Sequence, residues 1–465
     1  MKFSGTTVED AAAIRRVSQL VKRRLRHRPV VIVSALARVT DELLHAGRLA
    51  ADGKLSAGHE ITERLRQRHE AVAHDLVDKE HYDSLWNEIE PGFERLDDLL
   101  EAIATAKLLA PAMQDRLVSM GEWFSSKILQ AALARTALDV TWVDATACIV
   151  TDEVHTQAMP LWPETNRRLE EILLPLLQCG QIPVLGGFVG ATREGAPTTL
   201  GRGGSNFTAS IVGAGLQATR IEIWANVDGV MTTDPKLCPD ARRVTRLSFG
   251  EAAQLAHLGV QALHPAMLAP AMQSNIPVWV LNSRDLQSGG TEITAKISDG
   301  GRVKAIAVRS NLTSVDVEPL SWLGQALLPR ILEAFERRQH SLELFTAACG
   351  GFSLIVNSAV DLPAIAEELK DLARVRWEKQ KALICLVGEK IRRRPELASQ
   401  ALHAISDIDL RLMCQGASER SIGFLVDESR AQEAVQRLHD LLFPEPVRPA
   451  NERSSAAFHL QGGTC

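Results

Sequence analysis

"TTLGRGGSNFTAS" spans residues 198–210, and the reading of this stretch decides the fold. Threonine, glycine and arginine run into Ser-Asn just ahead of an Ala-rich apolar segment. Glycine lets a backbone come close to a ligand and turn its N–H groups toward oxygen atoms, and a helix that starts there adds partial positive charge. Such a loop suits an anion, phosphate or carboxylate. Two further glycine loops, "KFSGTT" (2–7) and "LGGFVGA" (185–191), stand in similar settings. Up to about residue 295, strands expected at Val30 to Val33, Ile182 to Leu185, Arg220 to Trp224 and Ile276 to Leu281 alternate with longer amphipathic helices. That alternation predicts a mainly parallel sheet covered on both faces, which binds its ligands beyond the C-terminal ends of the strands. None of the three loops has P-loop or dinucleotide spacing, so each alone reads more readily as a tight turn.

Composition narrows the function classes. The 465 residues carry 57 acidic and 52 basic side chains, a net charge of -5, which favours neither nucleic acid nor an acidic membrane surface as partner. The basic run "VKRRLRHRP" (21–29) reads as the wet face of a helix whose apolar positions are Ile14, Val17, Val21 and Leu25; "KIRRRPE" (390–396) is read the same way. No stretch approaches membrane-spanning length. Seven cysteines lie scattered without CxxC or metal-type spacing, as in a reduced, soluble, cytoplasmic protein.

A helix-rich insert is expected over roughly 55–130. "SFGE" (248–251) predicts a capping box between Ser248 and Glu251, with Gly259 ending the helix that follows. After about residue 300 the pattern repeats. "ILEAFERRQHSLELFTAACGGFSLIVNS" and "ALHAISDIDLRLMCQGASERSIGFLVDES" each give a helix, a strand, a turn and a second strand, so each fits a ferredoxin-like βαββαβ module. The polar tail from Pro444 to Cys465 is expected to be disordered.

Charged residues raise the loops above mere turns. Lys2 supplies a point charge suited to phosphate, and Arg202 a planar fork suited to carboxylate. At these residues the chain resembles the aspartokinases, members of the amino acid kinase family with C-terminal ACT domains. The resemblance is carried by "KFSGTTVED", "VVIVSALARVTDELL", "SMGEWFSSKIL", "TTLGRGGSNFTAS", "IEIWANVDGVMTTDPK", "LGVQALHPAML", "GGTEI" and "LMCQGASERSIGFLVDE", in the family's order over nearly the whole chain.

The resemblance implies a three-layer αβα kinase domain over 1–295 and a tandem ACT regulatory region over 300–443. It implies phosphorylation of the L-aspartate β-carboxylate by ATP with Mg²⁺, pairing of two subunits through the ACT domains, and an amino-acid effector. It sets Thr40, Glu122, Arg202, Gly203, Gly204 and Ser205 around the amino acid, with Arg202 on the α-carboxylate and Glu122 on the ammonium. Lys2, Ser4 and Gly5 would meet the phosphates, and Ala225, Asn226, Met231, Lys236 and Gln261 the nucleotide. A carboxylate with a pKa near ~3.9 is already a nucleophile at neutral pH, so no base need accompany it.

The departures from the family gather on the nucleotide side. Ser4 replaces the first glycine of a pair, Asn206 an aspartate, Ala225-Asn226 a Thr-Asp, Met231 an aromatic, Lys236 an arginine and Gln261 a lysine, while the chain begins almost at Lys2. Three readings therefore stand: a working aspartokinase, a weakened or inactive relative that binds an amino acid as a regulatory subunit, and a kinase for another amino-acid carboxylate. In the first repeat, "SWLGQALLPRILEAF" and "HSLELFTAACGG" lack the small polar residues expected around a lysine or threonine effector, which predicts weakened or retuned feedback.

Overall fold

The computed structural model describes residues 1–260, 263–295, 297, 301–320, 327–348, 350–416 and 418–444. Gln261, most of the start of the "SWLGQALL" segment and nearly all of the C-terminal tail lie outside the described residues. The chain opens with β1 (Lys2–Phe3), α1 (Ala11–Arg23), β2 (Val31–Val33) and α2 (Val39–Ala51). The helical insert follows as α3 (Leu55–Leu76), α4 (Lys79–Ala106) and α5 (Pro111–Ala134). Next come β3 (Val140–Val143), α6 (Ala145–Cys148), α7 (Trp162–Gln178), β4 (Ile182–Gly186), the hairpin β5 (Val189–Ala191) and β6 (Pro197–Thr199), then α8 (Gly204–Gly215). The region ends with β7 (Ile221–Ala225), β8 (Arg246–Ser248), α9 (Phe249–His257), α10 (Pro265–Gln273), β9 (Val278–Asn282) and β10 (Thr291–Thr294).

Eight of these strands form one sheet in the order β3-β4-β2-β1-β7-β9-β10-β8, parallel except where β10 meets β9. Two apolar cores flank it. Ile14, Val17, Leu43, Ile89, Phe124 and Ile128 fill one side, and Leu169, Leu173, Ile211, Val212, Leu255 and Met267 the other. Chain order places β1 between β2 and β7, so successive connections leave β1 in opposite directions. A crevice opens at its C-terminal end, where loops diverge rather than cover one another.

Local chemistry accounts for the element boundaries. Asp10 caps α1 by accepting from Ala13 N at 2.7 Å. Ser248 Oγ accepts from Glu251 N at 3.0 Å while Glu251 Oε2 accepts from Ser248 N at 2.8 Å, the reciprocal capping box expected. One expectation fails. The apolar stripe of α1 ends at Val21, and Leu25 lies on a 3-10 turn, 39% exposed. The basic run is also not wholly wet, because Arg24 turns inward to pair with the buried Glu222 at 3.1 Å and lies over the Trp224 ring.

The remaining strands, β11 (Ala305–Pro319), β12 (Leu342–Ala348), β13 (Gly351–Asn357), β14 (Ala373–Val387), β15 (Leu410–Cys414) and β16 (Ser421–Asp427), form one antiparallel sheet, β12-β13-β11-β14-β16-β15. Helices α11 (Leu327–Glu336), α12 (Leu362–Leu369), α13 (Pro395–Ala404) and α14 (Glu428–Leu442) accompany it. The two repeats are interlocked rather than strung in tandem. Ala305–Arg309 of β11 pairs with Leu383–Val387, its Leu312–Pro319 half with Ala373–Lys381, and the register shifts between them. Each long strand thus serves both modules.

Candidate active site

A cleft of about 580 Å³ lies at the C-terminal end of β1. Lys2, Gly5, Thr40, Glu122, Arg202, Gly203, Gly204 and Ser205 all line it. The structure therefore brings together, from six separate elements and loops, the residues expected to meet the amino acid and two of those expected to meet phosphate.

Lys2 is 5% exposed, although it carries a charged head. Burial pulls its ammonium down from the usual lysine range, and the facing carboxylate of Glu122 opposes the shift. Glu122 sits on α5, 3% exposed. Burial pushes its carboxyl well above the ordinary carboxylate range, against the backbone N–H of Ala35 and the charge of Lys2. Its Oε2 has no hydrogen-bond partner. A buried acceptor left open costs about 1–3 kcal/mol. At a cleft wall, that oxygen stands open to a donor.

The opposite wall is the loop into α8. Gly203 has φ +74°, and a Cβ there would stand 2.6 Å from Cγ of His264, so glycine is required twice over. Gly204, Ser205 and Asn206, which line the cleft, open the twelve-residue α8 with its free N–H groups and positive end. Arg202 is exposed at the mouth, its fork available to a carboxylate. Asn206 Oδ1 is a second buried acceptor without a partner. The amide keeps the acceptor oxygen an aspartate would offer while removing its charge.

In the first glycine loop, Ser4 has φ -75° and ψ 162°, ordinary extended backbone. Its hydroxyl meets Thr6 Oγ1 at 3.2 Å. The added Cβ therefore needs no special turn, whereas at Gly5 a Cβ would stand 2.8 Å from the Ala35 carbonyl oxygen. Ser4, Ala225, Asn226, Met231 and Lys236 lie outside the lining of this cleft. Asn226 is occupied structurally: its Nδ2 donates to Thr6 O at 3.0 Å and its Oδ1 accepts from Ser283 Oγ at 2.9 Å. An aspartate could make only the second bond. Met231 bridges to Arg243, and Lys236 is an exposed turn residue whose backbone N–H donates to Asp234.

Residue similarity agrees with the geometry. Residues 1–282 match the amino acid kinase family and residues 384–442 an ACT domain. The lysine-sensitive aspartokinase 3 of Escherichia coli is 31% identical over 95% of this chain and 98% of its own. The chain belongs to the amino acid kinase family, in its aspartokinase branch. An aspartokinase of Chlamydia trachomatis is 30% identical over 95% of this chain and 97% of its own. The crystal structure of E. coli aspartokinase III in complex with aspartate and ADP superposes with a TM-score of 0.82, covering 95% of this chain and 99% of that one. Its complex with lysine and aspartate gives 0.81 over 95% and 98%.

Several residues in or behind the cleft wall escaped the sequence reading. Phe188, inside the "LGGFVGA" loop, lines the cleft with φ +69°, a rare conformation for a bulky residue. His264, in the "ALHP" stretch, packs on Gly203 and keeps a buried Nδ1 without partner. Its imidazole titrates below the usual range because it is buried and stands near the charge of Arg202. Thr156, also at the cleft, gave no sequence signal at all.

Proposed function

We propose that this aspartokinase transfers the γ-phosphoryl group of ATP to the β-carboxylate of L-aspartate, yielding 4-phospho-L-aspartate and ADP. The observation that carries this reading is the unpartnered, buried carboxylate of Glu122 in the same cleft as Arg202 and the N-terminus of α8. One wall offers an acceptor for an ammonium, the other a fork and N–H groups for a carboxylate. Their joint presence favours an α-amino acid over a simple dicarboxylate.

Held at both ends, aspartate presents its side-chain carboxylate toward Lys2. One carboxylate oxygen attacks the γ-phosphorus, the bond to the bridging oxygen breaks, and the electron pair leaves with ADP. Lys2 neutralises charge gathering on the phosphoryl oxygens, and its burial strengthens that effect. No cluster of three His, Cys, Asp or Glu side chains able to hold a metal occurs among the described residues. Mg²⁺ would arrive on the nucleotide phosphates, where it would withdraw charge from them.

The division at about residue 295 follows the two sheets, one ending at Thr294 and the other beginning at Ala305. The second sheet would pair with that of another subunit and take an amino-acid effector. The described cysteines are free thiols, in keeping with a protein of the cytoplasm.

Trapping of acyl phosphate with hydroxylamine tests the reading, using the purified protein, Mg-ATP and L-aspartate with Lys2→Ala as control. Hydroxamate that disappears in the variant is expected. A folded wild-type protein that binds aspartate but forms no hydroxamate would favour the amino-acid-binding regulatory relative, for which Asn206 speaks.

A further inference from the structure

Asp115 lies on α5, seven residues before Glu122, and is completely buried. Two helical turns separate the pair, so both carboxylates point from one face of the helix. Asp115 is not left open as Glu122 is. Its Oδ1 accepts from Thr199 Oγ1 at 2.5 Å, its Oδ2 from His155 Nδ1 at 2.8 Å, and both oxygens from the Thr156 backbone N–H at 3.1 and 3.0 Å.

These donors come from two segments of the cleft wall. Thr199 ends β6, three residues before Arg202, and Thr156 belongs to the loop between α6 and α7; both line the cleft. The segments are also joined to each other, since Ala158 N donates to Thr199 O at 2.9 Å. Thr156 has φ +70°, a conformation that a β-branched residue adopts only when its surroundings impose it. Gly201 packs on the Thr156 carbonyl, where an added Cβ would stand 3.3 Å away. The strained residue is thus pinned by Asp115 on one side and supports the turn into Arg202 on the other.

We infer that Asp115 is a positioning residue that sets the separation between the ammonium site at Glu122 and the carboxylate site at Arg202. The inference rests on the proposed reading of those two sites. A single rigid helix carries Glu122 directly and, through Asp115, anchors the wall that ends in Arg202. The span between the two sites is thereby fixed to one substrate length. Asp115 stands behind the cleft wall rather than in its lining, so its loss acts on aspartate through that wall and leaves the nucleotide side untouched.

The test is calorimetric binding of L-aspartate and of Mg-ATP to Asp115→Ala, Asp115→Ala/Thr156→Gly and Thr199→Val, together with steady-state KM for both substrates. For Asp115→Ala, Kd and KM for aspartate rise at least about 10-fold while the ATP values stay within about twofold. Adding Thr156→Gly recovers several-fold of that loss, because glycine holds φ +70° without being forced. Thr199→Val, which removes one hydrogen bond and keeps the side-chain volume, weakens aspartate by about threefold and serves if Asp115→Ala does not fold. Unchanged aspartate binding in Asp115→Ala or Thr199→Val overturns the inference, as does an equal loss for aspartate and ATP. If the wild type binds aspartate without turning it over, the kinase reading fails while Kd still decides the role of Asp115. A wild type that binds no aspartate overturns both.

Discussion

Replacing Glu122 by Gln keeps the shape and one acceptor but removes the charge proposed above to meet the substrate ammonium. In the free protein the carboxyl is pushed up to about 8, chiefly by burial. At pH 6 it therefore holds a proton, and aspartate must bind with release of that proton. The sign follows: kcat/KM for aspartate rises with pH as Glu122 ionises, close to tenfold per unit well below that value, and levels off above it. Lys2 titrates in the same range in the free protein, so the pair shares its macroscopic steps. Saturating Mg-ATP keeps Lys2 protonated against the phosphates and leaves the Glu122 limb exposed. A charge-assisted hydrogen bond contributes about 1.5–3 kcal/mol, so the variant loses roughly 10- to 150-fold in plateau kcat/KM. Its profile is also flat from pH 6 to 8. The assay is coupled ADP release at saturating Mg-ATP with varied aspartate. A Gln variant that keeps the wild-type slope, or that matches wild-type KM for aspartate at pH 8, refutes the assignment of Glu122 to the ammonium.

Gly203→Ala forces a Cβ into the His264 ring at φ +74°, and kcat/KM for aspartate is expected to fall at least about 10-fold; wild-type kinetics would show that the loop tolerates a side chain. His69 is buried between the rings of Phe93 and Phe124, and burial brings its imidazole down to about 4. The unfolded chain takes the proton first as pH falls from about 6.5, so stability present at pH 7 declines by about 2 kcal/mol at pH 5; urea midpoints for His69→Leu should lose that part of the decline. Asn226→Asp removes the donor to Thr6 O and is expected to cost about 0.5–1.5 kcal/mol. An unchanged denaturation midpoint would mean that this tie between the loop after β1 and β7 carries no load.

The residues that share the cleft were legible where chemistry is written locally. Glycine at 203, an arginine beside it and a helix start at Gly204 can each be read from "GRGGSN", because backbone freedom, charge and capping act over a few residues. The Ser248–Glu251 box was legible for the same reason. Leu25 was misread because periodicity does not announce that α1 ends at Arg23, and Arg24 because its partner Glu222 lies 198 residues away. Asn226 likewise meets partners far away in the sequence, Thr6 and Ser283. As a departure from a family pattern it suggests a lost nucleotide contact, but in the fold both ends of its amide tie loops together.

By itself, the sequence determined the parallel α/β class, the helical insert, two C-terminal repeats and the anion-binding character of residues 198–210, since these follow from periodicity, glycine and charge along the chain. Only the tertiary structure decided that β11 and β14 are shared between the repeats, that Glu122 faces Lys2 with an open oxygen, and that Asp115 ties two distant segments into one wall. Those facts depend on burial and on contacts between residues far apart in the chain. Burial strips the water that would otherwise satisfy a carboxylate, and only the fold determines which donors replace it.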